Sequence, residues 1–476
     1  MSETIRVAGG TVHSPGGPVE ADVVVEGEKI AGFVSRGESM KAGEIIDAKG
    51  LHVFPGLVDL HAHARVPGYE YKEDFFTCSQ AAAAGGITTF TDMPNVDPPT
   101  DSVELLEAKR KIAERDSIVD WGHLASPSKL GEIPKLAEAG VTGFKMFQVS
   151  GGYPHDPRIA MGDSEKVFEA FQAITKTGLH CSVHPYNQPL MDVLTRQAMD
   201  AGKPHDMATF SEIYTNEIVW SSAVAVLLEL QRVTGVRLHL LHTHAAGSLR
   251  LIKAAKGRGQ RVTCTVDPKY YHLTKEHVKE QGPRAAPGGY VTADADRMKT
   301  IWESLRDGTL DTIDSDHAPH TLEDLEVFLK DPWTGPFGSP QYEYMLSLAL
   351  SDMHDGRYSL AHLVQLVSEN AARIIGAYPR KGALQVGSDA DLVLVDLDKE
   401  VKPNDKATYS KVGWTPYKGW TFRGGPVLTM LRGTVIAKDG KVVGQRGFGK
   451  YIRGTRQEAI PIEDGRAPGL SFRPAA

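Results

Sequence analysis

Apolar residues in the middle of the chain follow two alternating patterns. Short apolar runs typical of buried strands alternate with longer stretches in which apolar residues recur at helical spacing. The strand-like runs include FPGLVDLHAH, ITTFTDM, IVDWGHL, VTGFKMF, LHCSVH, VRLHLLHTH, RVTCTVD and TLDTIDSD. The helix-like stretches include DFFTCSQAAAAGG, SVELLEAKRKIAERD, SEKVFEAFQAITKTG, GSLRLIKAAKGRG and RMKTIWESLRDG. We count eight strand–helix repeats, the pattern of an α/β protein with a (β/α)8 barrel, and we place the barrel at residues 54–381.

Both ends of the chain have a different pattern, with β-rich runs separated by glycine-containing turns. The N-terminal part reads TIRVAGGTVH and ADVVVEGEKIAGFV, and the C-terminal part reads GALQVGSDADLVLVDLD and PVLTMLRGTVIAKDGKVV. Neither part has enough strands for an independent core, so we expect the two to associate. The sequence therefore predicts a small composite β-sandwich from residues 1–53 and 382–445, followed by a tail at 446–476.

Composition narrows the class of protein. The chain has 476 residues, 41% of them apolar and 24% charged, with a net charge of −7 and no cluster of basic residues, which argues against nucleic acid as a partner. The start MSETIRVAGG lacks a basic region followed by an apolar run, so we expect no signal peptide. No uninterrupted apolar run approaches about 18 residues, so we expect no membrane span. The three cysteines are widely spaced, as in a reducing compartment. These features favour a cytoplasmic enzyme.

Metal-competent side chains recur where barrel strands are predicted to end. Because side chains alternate along a strand, His61 and His63 leave from the same face, an arrangement that suits a metal ion. Further candidates occur on the fourth, fifth, sixth and eighth strands: Lys145, His184, His242 and Asp316. A single histidine after a strand is usually a packing or capping residue. The coincidence of six candidates on the C-terminal rim, where barrels of this kind place their chemistry, favours a metal centre.

Lys145 lies between Phe144 and Met146 in an apolar strand. An unpaired buried ammonium costs several kcal/mol, so the residue needs a compensating interaction. One interpretation is a buried ion pair. The other is that the neutral amine reacts with CO₂ to form a carbamate, an anion able to bridge two cations.

The chain resembles the cyclic amidohydrolases of the amidohydrolase superfamily, the group of dihydroorotases, hydantoinases (dihydropyrimidinases) and allantoinases. The resemblance covers nearly the whole chain. It is carried by PGLVDLHAHARVPG, AAAAGGITTFTDMPN, GFKMF, CSVH, HTHAAGS, SDHAPH, GSDADLVLVD and TPYKGW. That family has a distorted (β/α)8 TIM barrel with a β-sandwich from both termini, which agrees with the pattern above.

The resemblance implies a binuclear centre of two divalent metal ions, expected to be Zn²⁺. It also implies the reaction, which is hydrolysis of a cyclic amide. One ion would be held by His61, His63, carbamylated Lys145 and Asp316, and the other by Lys145, His184 and His242. A hydroxide bridging the two metals would attack the endocyclic amide of a small cyclic substrate. Asp316 would act as general base and then as general acid towards the departing ring nitrogen. Relatives are commonly homodimers or homotetramers.

Three further residues bear on the substrate. By resemblance to dihydroorotases, Arg65, Asn95 and His320 would contact the carboxylate and ring carbonyl of the substrate; a salt bridge between loops is the alternative for Arg65. The resemblance therefore favours a substrate with an acidic group and leaves the ring open, with an allantoinase or another imide or ureide hydrolase as an alternative.

Several positions depart from the family pattern. The loop Gln281–Tyr290 differs from that of dihydroorotases, and Lys269 stands where relatives often have His or Gln. The tyrosine that hydantoinases place five residues after the lysine is Ser150, with Tyr153 as a candidate substitute in an insert, Gly151–Arg158, that we interpret as a lid. A non-catalytic scaffold related to dihydropyrimidinase and a phosphotriesterase-like or acyclic amidase activity are the rival hypotheses. The complete ligand set argues against the scaffold.

Overall fold

Eight parallel strands in the middle of the chain pair in chain order and form the barrel. The computed structural model describes residues 4–39, 42–151, 156–286 and 294–456. A bridge between Ala62 and His317 joins the segment after the last strand to the first strand. The barrel strands are β7 Leu57–Ala62, β8 Ile87–Asp92, β9 Asp120–Ala125, β10 Gly143–Phe147, β11 His180–His184, β12 Arg237–Leu240, β13 Val262–Val266 and β14 Thr312–Ile313. The predicted (β/α)8 fold is confirmed.

Helices connect these strands and cover the outside of the barrel. They are α1 Phe75–Ala84, α2 Val103–Asp116, α3 Ile133–Ala139, α4 Ser164–Thr177, α5 Gln188–Asp200, α6 Met207–Tyr214, α7 Glu217–Thr234, α8 Ala246–Gly257, α9 Lys269–His272, α10 Lys275–Gln281, α11 Ala295–Asp307, α12 Leu322–Lys330, α13 Tyr342–His354, α14 Leu360–Val364 and α15 Asn370–Ile374. Every residue of β7 is buried, as expected for a parallel strand with its two faces covered.

Local sequence explains how the first helix is positioned. The Asp74 carboxylate accepts a hydrogen bond from the Thr77 amide at 2.9 Å and so caps the N-terminus of α1. The helix ends at Gly85, where a Cβ atom would lie 2.1 Å from the Tyr342 carbonyl oxygen. Glycine therefore permits the close approach of α1 to the start of α13, which holds α1 against the barrel.

The two ends of the chain contribute to one ten-stranded sheet. Its strands are β1 Thr4–Ala8, β2 Thr11–Ser14, β3 Gly17–Glu26, β4 Lys29–Ser35, β5 Glu44–Asp47, β6 His52–Pro55, β15 Leu392–Val401, β16 Phe422–Leu431, β17 Thr434–Lys438 and β18 Lys441–Val442. The antiparallel pairing of β6 with β15 joins the two ends within this sheet, and Val23 and Leu394 belong to one apolar cluster. The domain boundaries given above stay predictions, and residues 457–476 of the tail lie outside the described residues.

A buried ion cluster connects the barrel to the terminal sheet. The Lys381 ammonium, fully buried, lies 2.5 Å from Asp120, 3.0 Å from Asp389 and 2.6 Å from Asp391. Arg432 also pairs with Asp120. Three carboxylates this close could bind a cation, and here the lysine supplies the positive charge. The cluster therefore fixes β9 relative to the segment that leads into β15.

The segment Met207–Thr234, which contains α6 and α7, is long and apolar enough to cross a membrane. Half of the most apolar 18-residue stretch of this segment is buried within the fold. Core helices of soluble proteins pass the same test, and Asn216 caps the start of α7 within the segment. The segment is therefore weak support for a membrane span.

Candidate metal centre

The C-terminal rim of the barrel brings the predicted ligands together. His61 lies in β7 with His63 just beyond it, Lys145 lies in β10, His184 ends β11, and His242 and Asp316 follow β12 and β14 closely. All six residues are buried. Side chains that are up to 255 positions apart in the chain thus converge because parallel strands share one rim.

Asp316 lies at the centre of the group. Its Oδ1 atom is 3.2 Å from His61 Nε2 and 3.4 Å from His63 Nε2. The ligand atoms of His61, His242 and Asp316 all lie within 4.8 Å of one another. The His184 ring is 4.7 Å from the His242 ring between centroids, so His184 adjoins the group through His242.

The backbone is strained at three positions on this rim, two of them candidate ligands. Arg65, His242 and Asp316 have φ of 63°, 53° and 43°, in the left-handed region that non-glycine residues rarely adopt. Each lies where the chain leaves a barrel strand. The strain redirects the chain there, and it is a feature that clusters at functional sites.

Lys145 is fully buried, and among the described residues its side-chain nitrogen has no hydrogen-bond partner. The nitrogen lies 4.5 Å from the centre of the Phe147 ring. Burial lowers the pKa of Lys145 to about 7, although Asp316 and Asp267 oppose the shift. The ion pair considered above is therefore not formed by a direct contact, and a substantial fraction of the amine is neutral near pH 7.

Asp316 is held by a residue that the sequence analysis treated only as a departure. The Lys269 ammonium makes a close ion pair with Asp316 Oδ2. Burial would raise the pKa of Asp316, but Lys269 and the neighbouring histidines keep it well below its usual value. Asp316 is therefore a carboxylate at neutral pH.

Asp267, which the sequence analysis did not select, orients His242. Its Oδ2 atom lies 2.5 Å from His242 Nδ1, which leaves Nε2 of that ring for another ligand. Asp267 directly follows β13, so the strand-end rule applied to the seventh strand would have found it. Carboxylate–histidine pairs of this kind commonly support metal ligands.

The histidine rings also fit a metal. Burial lowers the pKa of His63 to about 4, so the ring is neutral and able to coordinate near pH 7. Three buried atoms have no hydrogen-bond partner in the part of the chain that the structure describes: His61 Nδ1, Lys145 Nζ and Asp267 Oδ1. Nitrogen and carboxylate donors in such a group suit Zn²⁺ and similar divalent ions. The residues present therefore fit the metals that the resemblance implies.

A cavity opens beside the candidate ligands, and two predicted substrate contacts line it. Arg65 and Asn95 are on its wall together with Tyr214 and Lys269. The Tyr214 hydroxyl lies 3.5 Å from His184 Nε2, a contact that the sequence analysis missed because Tyr214 lies in α6. Tyr153 lies outside the described residues.

His320 contacts the side chains of Arg65 and Lys72. Its Nε2 atom is 3.0 Å from Arg65 Nη2, and its Nδ1 atom is 3.1 Å from the Lys72 ammonium. Arg65 also donates through Nε to the Pro319 carbonyl at 3.1 Å. These contacts fix the guanidinium against the cavity wall, and the contact of His320 with substrate stays a prediction.

Comparisons with known proteins agree with this architecture. The model of the amidohydrolase family matches residues 52–443. An L-hydantoinase from Paenarthrobacter aurescens is 36% identical over 94% of this chain and 97% of its own length. A dihydroorotase from Methanothermobacter thermautotrophicus is 32% identical over 88% of this chain and 91% of its own length.

A solved structure extends the likeness to three dimensions. The L-hydantoinase (dihydropyrimidinase) from Arthrobacter aurescens superposes with a TM-score of 0.89 at 34% identity, covering 95% of this chain and 100% of that chain. The family model matches residues that span the whole barrel, and the relatives are similar over nearly their full length. Together these two findings define the class of protein. The chain belongs to the amidohydrolase family.

Proposed function

We propose that this protein hydrolyses the endocyclic amide C–N bond of a small cyclic amide or ureide. The observation that carries the proposal is the convergence of His61, His63, Lys145, His184, His242 and Asp316 on one barrel rim beside a cavity. The relatives named hydantoinase and dihydroorotase support the same reaction class.

Two divalent cations, Zn²⁺ by the nature of the donors, complete the proposed site. His61, His63 and Asp316 would hold one and His184 and His242 the other, with Lys145 as a carbamate shared between them. When bound, the cations would lower the pKa of the nucleophilic water and polarise the substrate carbonyl. The pKa of about 7 and the lack of a hydrogen-bond partner for Lys145 among the described residues support the carbamate, because only a neutral amine can attack CO₂.

Asp316 is proposed to move the proton. As a carboxylate it accepts a proton from the attacking water, and it then donates that proton to the ring nitrogen as the C–N bond breaks. An amide nitrogen leaves poorly unless it is protonated, so the same group serves both steps. Lys269 holds Asp316 in place through their ion pair.

Arg65 and Asn95 are proposed to bind the substrate, and His320 to assist Arg65. A guanidinium held on the cavity wall by Pro319 and His320 can pair with an acidic substituent without a large loss of side-chain entropy. This geometry favours a ring that carries a carboxylate or similar group. A hydantoin is the second candidate, because the relative named L-hydantoinase is more similar to this chain than the dihydroorotase above.

The experiment is a panel of dihydroorotate, hydantoin, dihydrouracil and allantoin, assayed with Zn²⁺ and bicarbonate. The proposal expects one ring to be opened far faster than the others, and expects Arg65→Ala to raise KM for an acidic ring without a matching change for a neutral one. No hydrolysis of any ring by metal-loaded protein would refute the reaction. Equal turnover of all rings, with KM unaffected by Arg65→Ala, would refute the acidic substrate.

A scaffold role and the assembly state are tested on the same preparation. Tightly bound metal with activity excludes the scaffold, whereas a metal-free, inactive protein would support it. We propose, by resemblance, a cytoplasmic homodimer or homotetramer, which light scattering would measure. The buried, free state of Cys78, Cys181 and Cys264 is consistent with a reducing compartment.

A further inference from the structure

A second cavity lies at the opposite end of the barrel from the candidate metal centre. Its volume is about 260 Å³, and it is lined by residues at the start of β11, β12 and β13, among them His180, Arg237 and Val262. His180 begins β11 and His184 ends it, so the rise of about 3.3 Å per residue separates the two regions by roughly 13 Å. The second cavity is therefore distinct from the proposed active site.

The charges around this cavity are unbalanced. Lys253 pairs with Asp307 at 2.6 Å and Lys256 with Asp311 at 2.6 Å, so these lysines are neutralised. Arg237 and Arg261 also line the cavity. Within the described part of the chain, neither guanidinium has a carboxylate within salt-bridge distance.

The environment of the two arginines is unfavourable for cations. Arg237 is 8% exposed, and within the described residues its guanidinium donates to the carbonyls of Gly178 and Ile374, at 3.2 and 2.8 Å. Burial, with a contribution from Arg261, lowers the pKa of Arg237 to about 10. Two partly desolvated like charges destabilise the fold unless an anion lies between them.

His180 supplies an independent indication of a ligand. The ring is 2% exposed, lines the cavity, and has no hydrogen-bond partner for either nitrogen in the described structure. A Cβ atom on Gly143 would lie 2.3 Å from the ring, so glycine there provides the space for the imidazole. Leaving a buried polar group unsatisfied is costly, and a bound oxyanion would satisfy it.

We propose that this cavity binds a small oxyanion, a phosphate or carboxylate group, between Arg237, Arg261 and His180. Guanidinium groups match the geometry of such anions and can bind them through paired N–H donors. The volume is just below the range of about 300–1,000 Å³ typical of sites for drug-sized ligands, which suits a small metabolite. The proposal does not depend on the reaction at the other rim.

The test is calorimetric titration of the metal-loaded protein with inorganic phosphate and, separately, with acetate. Arg261→Gln removes one guanidinium that makes no contact with protein carboxylates, and we expect it to weaken binding of the preferred anion about tenfold or more. Arg196→Gln, on the exposed face of α5, is the matched control and should leave the affinity unchanged. Phosphate bound more tightly than acetate would identify a phosphate site, and the reverse a carboxylate site.

Thermal unfolding separates a ligand site from a merely structural role. Without added anion, Arg261→Gln should unfold at the same temperature as the parent or higher, because it removes a repulsive charge. The anion should raise the midpoint of the parent and of Arg196→Gln but not that of Arg261→Gln. In protein with ¹⁵N-labelled histidine, the anion should shift a ring signal that is missing in His180→Gln. An anion response that is unchanged in Arg261→Gln, or no response in the parent, would overturn the proposal.

Discussion

Carbamylation of Lys145 should depend on pH in a way that its environment determines. Burial places the pKa of this lysine at about 7 instead of near 10.5. The neutral fraction of the amine is then about a tenth at pH 6, about a half at pH 7 and about nine tenths at pH 8. Because only the neutral amine reacts with CO₂, the initial rate of carbamylation should rise about tenfold between pH 6 and pH 8.

The assay uses metal-free protein at a fixed concentration of dissolved CO₂, so that the bicarbonate equilibrium does not contribute. Labelled CO₂ is added at each pH, and the carbamate signal is followed by ¹³C NMR. Zn²⁺ is then added to trap the carbamate. Lys145→Arg should abolish the signal. Lys381 provides an internal control, because its three carboxylates raise its pKa despite burial and keep it protonated.

A rate of carbamylation that does not change between pH 6 and pH 8 would refute the assigned environment of Lys145. So would a signal that persists in Lys145→Arg. A rate that rises steeply only above pH 9 would mean that the lysine has an ordinary pKa and that the buried amine is compensated by a partner. In that case the ion-pair interpretation of Lys145 would be preferred.

Three further predictions concern the ion cluster, the metals and the proton transfer. Lys381→Met should cost about 3–5 kcal/mol by leaving buried carboxylates uncompensated, whereas Lys29→Met, which removes a half-exposed partner of Asp389, should cost less than about 1 kcal/mol. With an entropy of unfolding of about 2.1 cal/mol/K per residue, the loss in Lys381→Met lowers the midpoint of thermal unfolding by about 3–5 °C if the 476 residues unfold together. Equal shifts for the two variants would contradict the buried cluster. Chelation should lower the midpoint and stoichiometric Zn²⁺ should restore it, with about 4 kcal/mol expected at a free metal concentration 1,000 times Kd; an unchanged midpoint would argue against a metal centre. Asp316→Asn should lower kcat by about 10²–10⁴, and activity near the parent level would exclude Asp316 as the proton carrier.

The barrel could be predicted because its signals are local. Each strand from β7 to β13 is a short apolar run, and α2, α4 and α11 keep helical spacing over 13 or 14 residues. The positions of the candidate ligands follow from the same pattern, since the strand ends of a parallel barrel share one rim. The fold and the convergence of the six residues therefore needed no information about long-range contacts.

The partners of these residues depend on side-chain directions that the sequence does not encode locally. Lys269 begins a short helix after β13, and only the path of that loop brings its ammonium to Asp316. Tyr214 reaches His184 from α6, 30 positions away. The basic cavity at the other rim was missed for a similar reason. His180 and Arg237 begin two different strands, Arg261 precedes a third, and each residue is unremarkable alone.

The Lys381 cluster and the candidate metal centre differ in how the fold stabilises their polar residues, and this difference bears on function. The cluster around Lys381 pairs every charge and connects two parts of the chain. The candidate metal centre instead combines three left-handed backbone conformations, costing of order 1–3 kcal/mol each, with an unpaired buried lysine. A site of this kind lowers the stability of the metal-free protein and holds its donors in place before a ligand arrives. Cations and a carbamate would offset that cost. The strain at Arg65, His242 and Asp316 is therefore explained by a hydrolytic centre whose ligands are held in place before the metals bind.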